Sequence, residues 1–431
     1  MSIPTHNLYD FVHHATKKQF LPLYFYPWGS RDLTNIRHYV YTEEMVNGIN
    51  GISSKHNHIP AELIKYESVL HLALTFQPIL LCHDQEPLNF DLYNDNWESV
   101  QKYLSSPNGD GMPRNKFGLP KNMNLRYTNL FSIQKTWILL HSELNSQQVT
   151  KYENTEKFCG AYWWSHAIIA RDWYRYAQYD LSLEPQPYQK LFLMYCRDTS
   201  GTRQYRQILL DQLSASDNLK HCQIQSFNSE SAAGSNDSAI YNTVDFNLTA
   251  ISVVLETIFD SRIHLTEKIL RAIACCHPFI LAAGPGSLQL LRHYGFKTFD
   301  PYINESYDNE QDDQKRLTMI SDEMNRIAAL ETQEKNSIIF EMQEIAKFNQ
   351  KRFFSLEFHQ QIIQELQNNV KTAYERSKGQ LDLEAWWQRR RLAKQSYADF
   401  KLFQPRRSRK TNQYLIELYR QQRVSARIKN E

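Results

Sequence analysis

Between Ser252 and Phe299 the chain reads SVVLETIFDSRIHLTEKILRAIACCHPFILAAGPGSLQLLRHYGFKTF, and this stretch restricts the fold more than any other. The β-branched run at its start and the later PFILAA run have no polar face, the mark of strands buried on both sides. Segments of helical spacing follow each of them. The pattern therefore predicts strands over Ala250–Leu255 and Pro278–Ala283, and helices over Leu265–Cys276 and Ser287–Tyr294. Strand, helix and strand in that order make a parallel crossover unit. One residue runs against local electrostatics. Lys268 falls near the start of the first helix, where the positive end of the helix dipole disfavours a cation by about 0.3–1 kcal/mol. An anion bound at that terminus removes the penalty. The plain alternative is a solvated lysine opposite Glu267.

The same alternation extends upstream. Lys190–Cys196 (KLFLMYC) predicts a strand, RDTSGT a loop, Arg203–Leu213 a helix and His221–Phe227 a further strand. In the N-terminal half the short apolar runs Leu21–Pro27, Gln77–Cys82, Thr136–Leu140 and Gly160–Trp164 also read as buried strands. Pro60–Thr75 has helical character, and the Pro- and Gly-rich Ser105–Asn122 reads as a flap or binding loop. From Asp313 to Ala373 the periodicity is helical throughout. A chain of 431 residues is too long for one core, and the pattern pauses at Leu183–Pro187. The expected class is α/β, with two Rossmann-like halves in tandem and a cleft between them. The expected divisions are 1–185, 186–345 and a helical extension over 346–431.

Nothing in the N-terminal segment has the apolar core of a secretion signal, and no run approaches the ~18 apolar residues that span a bilayer. Six cysteines without CxxC spacing point to a reducing, cytoplasmic setting and to no zinc site. Charge is unevenly placed. Arg376–Glu431 carries 15 Lys or Arg against 5 Asp or Glu, whereas the rest carries 34 against 42. That basic, aromatic-rich tail is a candidate for binding nucleic acid; alternatively it docks on the acidic body.

In open parallel sheets, ligands sit beyond the carboxyl ends of the strands. In the second half those positions hold Arg197, Asp198, Ser200, Gly201 and Arg203, then Glu256, then Gly284, Gly286 and Ser287. Arginine forks, a lysine-headed helix and a glycine turn suit a diphosphate. Each also has a plain use: Ser287 as a helix cap, the glycines as turn residues, Arg206 as a charge on the helix surface.

The run LET-(x)8-TEK from Leu255 to Lys268 resembles the donor-binding signature of fucosyltransferase-type glycosyltransferases. Glu256 matches the first glutamate, Thr266, Glu267 and Lys268 the core, Ala274 a small residue and Pro278 a proline, and Arg203 is similar to the family's loop arginine. Thr257 stands where the family has asparagine, Glu256 lies one residue further from the core, and Cys276–His277 precede the proline. The whole chain also resembles a group of viral, mainly bacteriophage, proteins with a TEK-type run and a closing GFKTF element, here Gly295–Phe299. The resemblance implies a GT-B-like fold of two facing Rossmann-like domains. It implies a GDP- or UDP-linked sugar as co-substrate, with the lysine and loop arginine on its diphosphate and Glu267 on its ribose. It also implies inverting transfer to a glycan or a viral DNA base, with no metal.

Such a transfer needs a group to take the acceptor hydroxyl's proton. Asp84 and Glu86, in the HDQEP cluster after an apolar run, are the first candidates, and Glu143 follows. Both loop carboxylates have a plain alternative, pairing with local arginines. His83, His141, His166 and Arg171 fall on the acceptor side; the three histidines as a metal triad lack any ligand spacing. Trp173 and Tyr176 read as core rather than as a stacking platform. Two other classes remain open: a nucleic-acid-binding protein, and a structural viral protein that keeps an inactive GT-B fold.

Overall fold

A computed structural model describes residues 11–12, 15–17, 20–24, 79–83, 87–90, 137–155, 158–181, 187–225 and 240–377. Asp84 and Glu86, Pro60–Thr75, Ser105–Asn122 and the tail beyond Ser377 lie outside the described residues.

The chain is α/β, and its described residues form two four-stranded, wholly parallel sheets. The first is β1 (Leu21–Tyr24), β2 (Ile79–Cys82), β3 (Trp137–His141) and β4 (Phe158–Tyr162), in that spatial order. Its strands pair in a continuous register, with Leu80 beside Ile138 and Leu140 beside Ala161. The second contains β5 (Lys190–Tyr195), β6 (Cys222–Gln225), β7 (Thr249–Leu255) and β8 (Phe279–Ala282), in the order β6-β5-β7-β8. The order reverses between β5 and β7, so connections leave these two strands in opposite directions and a crevice opens at their carboxyl ends. That reversal fixes where a ligand site can form.

Helices cover the sheets. Those whose bounds lie among the described residues are α1 (Gln147–Glu153), α2 (Ser165–Trp173), α3 (Ala177–Asp180), α4 (Tyr205–Ala215), α5 (Thr243–Asn247), α6 (Glu267–Ala274), α7 (Ser287–His293), α8 (Asp313–Ala329), α9 (Thr332–Phe354) and α10 (Leu356–Ser377). All seven residues of β7 are buried, which explains a run without alternation: sheet neighbours flank it and helices lie over it. Burying Ile251, Val253 and Leu255 there contributes about 1.5–3 kcal/mol each. Against β7 lies α6, which also packs on α2 and α9. The Thr266 hydroxyl caps its start by accepting from the Lys268 amide. Cys276, with φ of 54°, and then Pro278 end it.

The closing helix, α10, turns back onto β3 and β4 of the first sheet. There the Trp163 indole donates to the Ile362 carbonyl at 3.0 Å, and Asn369 donates to the Tyr162 carbonyl at 2.8 Å. Glu365 accepts from the Trp164 amide and from the Tyr294 hydroxyl, so one carboxylate ties both halves. No helix among the described residues is long and apolar enough to cross a membrane.

Two expectations are corrected here. Tyr176 is 57% exposed, although Trp173 is partly buried against the core. Arg171 is absorbed by the end of α9: its guanidinium donates to the carbonyls of Phe353, Phe354 and Ser355. A helix leaves its last carbonyls without partners, and this arginine supplies them, so it is not on an acceptor surface.

Candidate functional site

The segments leaving the carboxyl ends of the two sheets touch. Leu144, just past β3, pairs antiparallel with Ile263, which lies between β7 and α6. Beside that bridge, the Ser142 hydroxyl lies 3.3 Å from His264 Nδ1, and His166 Nε2 at the start of α2 lies 4.0 Å from Glu267 Oε2. The candidate site is built where these segments meet.

On the second-sheet side Glu256, fully buried just beyond β7, latches the start of α6. It accepts from the Thr266 amide at 3.0 Å and from the Thr266 hydroxyl at 2.5 Å. Lys268 Nζ donates to the hydroxyls of Thr257 and Thr266, each at 3.2 Å, and to Glu267 Oε1 at 3.0 Å. Lys268 is 26% exposed in its side chain, so it is neither a freely solvated lysine nor a sealed one. The anion it meets within the protein is Glu267. Burial raises the Glu267 carboxyl, but the charge of Lys268, then His166 and local hydrogen bonds outweigh it and hold it at about 2. Burial pushes the Glu256 carboxyl up, against the pull of Lys268 and Thr266. Thr257, where the resembled signature has asparagine, is thus one of the lysine's ligands.

The loop after β5 lies against the same strand end. Arg206 is 3% exposed, and its guanidinium donates to the carbonyls of Asp198, Leu255 and Glu256, each at 2.9 Å. The surface charge expected at this position is therefore a buried clamp. Arg203, three residues earlier, is 23% exposed in its side chain and lies 3.5 Å from Asp198. Arg197 and Arg203 thus share one loop, fastened through Arg206 to the residue that latches Lys268's helix. Arg206→Met leaves the Asp198 and Leu255 carbonyls without this donor. At about 1–3 kcal/mol per unsatisfied buried group, a loss of about 2–3 kcal/mol is expected, measurable as a lowered midpoint in urea.

The glycine turn is used differently from expectation. The amides of Leu288 and Gln289 at the start of α7 donate to the Asp308 carboxylate at 2.9 and 3.1 Å, and the Gly286 amide donates to the Asp308 carbonyl. The Ser287 hydroxyl donates to the Gly284 carbonyl at 2.6 Å. The Gly286 and Ser287 donors expected to meet a diphosphate are spent on backbone carbonyls, and the two amides that follow are taken by the Asp308 carboxylate. Gly284 is needed for space, since a Cβ there would lie 1.8 Å from the Arg262 carbonyl oxygen.

On the first-sheet side, Glu143 is also corrected. It is 2% exposed, accepts from the Leu88 amide at 2.6 Å and the Ser146 hydroxyl at 2.5 Å, and lies 3.7 Å from Arg262. It fastens two loops and has no open face for a substrate. Asp84 and Glu86 fall outside the described residues, next to His83.

Placement after strands groups His83, His141 and His166, and the structure adds His264 to them. His83, His141, His166 and His264 come from separate segments, and all are at most 6% exposed. The His166 and His264 rings meet edge to face at 5.2 Å. Burial, then the proximity of His141 and His166, brings His83 down to about 3; burial brings His141 down to about 4, and burial with His166 depresses His264. Among the described residues no group of three or more His, Cys, Asp or Glu is arranged to hold a metal ion.

These depressed values predict a pH response. As pH falls from 6.5 towards 4, an unfolded His141 takes up a proton while the folded one stays neutral, so stability is lost across that window and regained as pH rises. Each full pH step inside it costs about 1.4 kcal/mol per histidine. Between pH 7 and 4 the wild type is therefore expected to lose about 3 kcal/mol more than His141→Gln, read from paired urea titrations.

Among the residues the sequence did not single out, His264, Arg262 and Asp308 complete the surroundings. The only local signal was that the first two lie just before the TEK run. No family model, curated protein or solved structure matches this chain.

Proposed function

We propose that the chain is a nucleotide-sugar-dependent glycosyltransferase of GT-B-like design, with two Rossmann-like domains facing across the junction of the two sheets. The observation that carries this reading is the placement of Thr266 as the cap of α6, with Glu267 and Lys268 on its first turn, directly beyond the strand-order reversal at β5 and β7. There Glu256 holds the turn in place and His166 approaches from the other half. This is where an open parallel sheet presents a ligand.

In this proposal the donor diphosphate takes the Lys268 ammonium and the Arg203 guanidinium, and Glu267 orients the ribose. Positive charge at that position stabilises the nucleoside diphosphate as it leaves. The acceptor hydroxyl attacks the anomeric carbon from the opposite side, and its proton passes to a base on the first-sheet side. Asp84 or Glu86, after β2, takes that part. His83, His141 and His264, kept neutral by burial, shape the floor of the crevice and exclude water.

Isothermal titration of the full chain with UDP, GDP and their sugar derivatives tests this directly. Micromolar affinity, about −8 kcal/mol, is expected for one nucleotide. Absence of heat and of thermal stabilisation with every common nucleoside diphosphate would remove the proposal.

A further inference from the structure

Arg271 is a buried cation whose charge the fold leaves open. It sits one turn beyond Lys268 on α6 and is 6% exposed. Among the described residues it has no ion-pair partner. Its one hydrogen bond runs from Nη1 to the Ile240 carbonyl at 3.4 Å, and its guanidinium lies 4.0 Å over the Tyr195 ring. A ring face and one long contact use little of a five-donor fork. Burying such a group without an anion is costly.

The space beside it is small and, apart from two cations, lined mainly by apolar side chains. A cavity of about 20 Å³ lies between β5, β7 and α6, lined by Arg271 and Lys268 together with Tyr195, Phe246 and Ala272. About 10–15 Å³ admits one water, so the void takes one oxygen-sized group. Nearby carboxylates are already engaged. Glu267 pairs with Lys268, and Asp245 accepts from Tyr195 at 2.8 Å, Gln223 at 2.6 Å and Gln225 at 2.8 Å. Glu267 takes the Lys268 ammonium, and the donors that Arg271 leaves unused face this void.

We propose that Arg271 and Lys268 together grip the phosphate groups of the nucleotide ligand, with one phosphoryl oxygen entering the cavity between β5, β7 and α6. The ligand's class rests on the donor reading above; the anion site itself does not. Lysine contributes a point charge, and the arginine fork adds the directed donors that phosphate oxygens favour.

Calorimetry of the full chain with inorganic pyrophosphate, and separately with UDP and GDP, tests it on the wild type, Arg271→Gln and Ala272→Val. The last keeps both cations and fills the void. Pyrophosphate binding by the wild type, weakened at least tenfold in both variants, is the expected result. Should Arg271→Gln fail to fold, Ala272→Val decides alone. Affinity within twofold of wild type in the folded variants overturns the site while leaving the donor reading standing. Pyrophosphate binding without any nucleotide binding keeps the site and ends the donor reading. No binding of pyrophosphate by the wild type overturns the site outright.

Discussion

Gly284→Ala is expected to destabilise the chain by roughly 4 kcal/mol, near the upper end for a single methyl group. The added carbon would lie 1.8 Å from the Arg262 carbonyl oxygen and 2.7 Å from that of Asp260. Both neighbours are backbone, so no side chain can swing aside. The loop they belong to is itself held, because Arg262 bonds Asp260 and lies 3.7 Å from Glu143 across the junction. Relief therefore means moving the segment that carries Ile263 and His264 into the site. Gly201→Ala is the matched control. Its φ is +55°, but nothing lies within 4 Å of the added carbon, so only the left-handed backbone cost of about 1–2 kcal/mol applies. Urea unfolding of the two variants should separate them clearly.

The second large effect concerns binding. Lys268→Met keeps a long unbranched chain on α6 and removes the ammonium. On the proposed function, nucleoside diphosphate affinity should fall at least a hundredfold, equivalent to about 3 kcal/mol. Stability should fall as well, because Glu267 is buried and keeps its charge chiefly through Lys268, although Thr266 still donates to Glu256 and His166 still lies 4.0 Å from Glu267. Binding lost under conditions where the variant is still folded would mark a ligand contact. Binding retained by the folded variant would mark a structural lysine.

Much of the second half could be read from sequence because its strands are buried on both faces. An unbroken run such as TAISVVL has few alternatives when helix-length segments flank it. The first half was read less closely. The GAYWW run predicted a strand over 160–164, whereas β4 spans Phe158–Tyr162. Trp163 has already left the sheet, although its amide still donates to the His141 carbonyl at 2.7 Å. Both tryptophans then bury against α10, some 200 residues later, and no local pattern encodes that partner.

The site was legible in part. Glu256 and the residues of the TEK run, both placed beyond the β7 strand by the sequence pattern, lie in contact there. Three arginines show why the rest did not. Arg171, Arg203 and Arg206 look alike in sequence, yet one closes a long helix, one stays partly open beside Asp198 and one clamps a strand end. What separates them is which backbone carbonyls the fold leaves unmatched nearby, a property of tertiary packing. The same holds for Asp308, which reaches an amide pair 20 residues before it in the chain and fills a turn that would otherwise suit an anion.

Hydrogen–deuterium exchange of the full chain, with and without a nucleoside diphosphate at saturating concentration, measures most directly whether a nucleotide lodges where the two sheets' carboxyl ends meet. Slower exchange should appear in residues 197–206 and 256–271, on both sides of the β5–β7 reversal. Protection confined to other segments, or none in these two despite demonstrated binding, would contradict it.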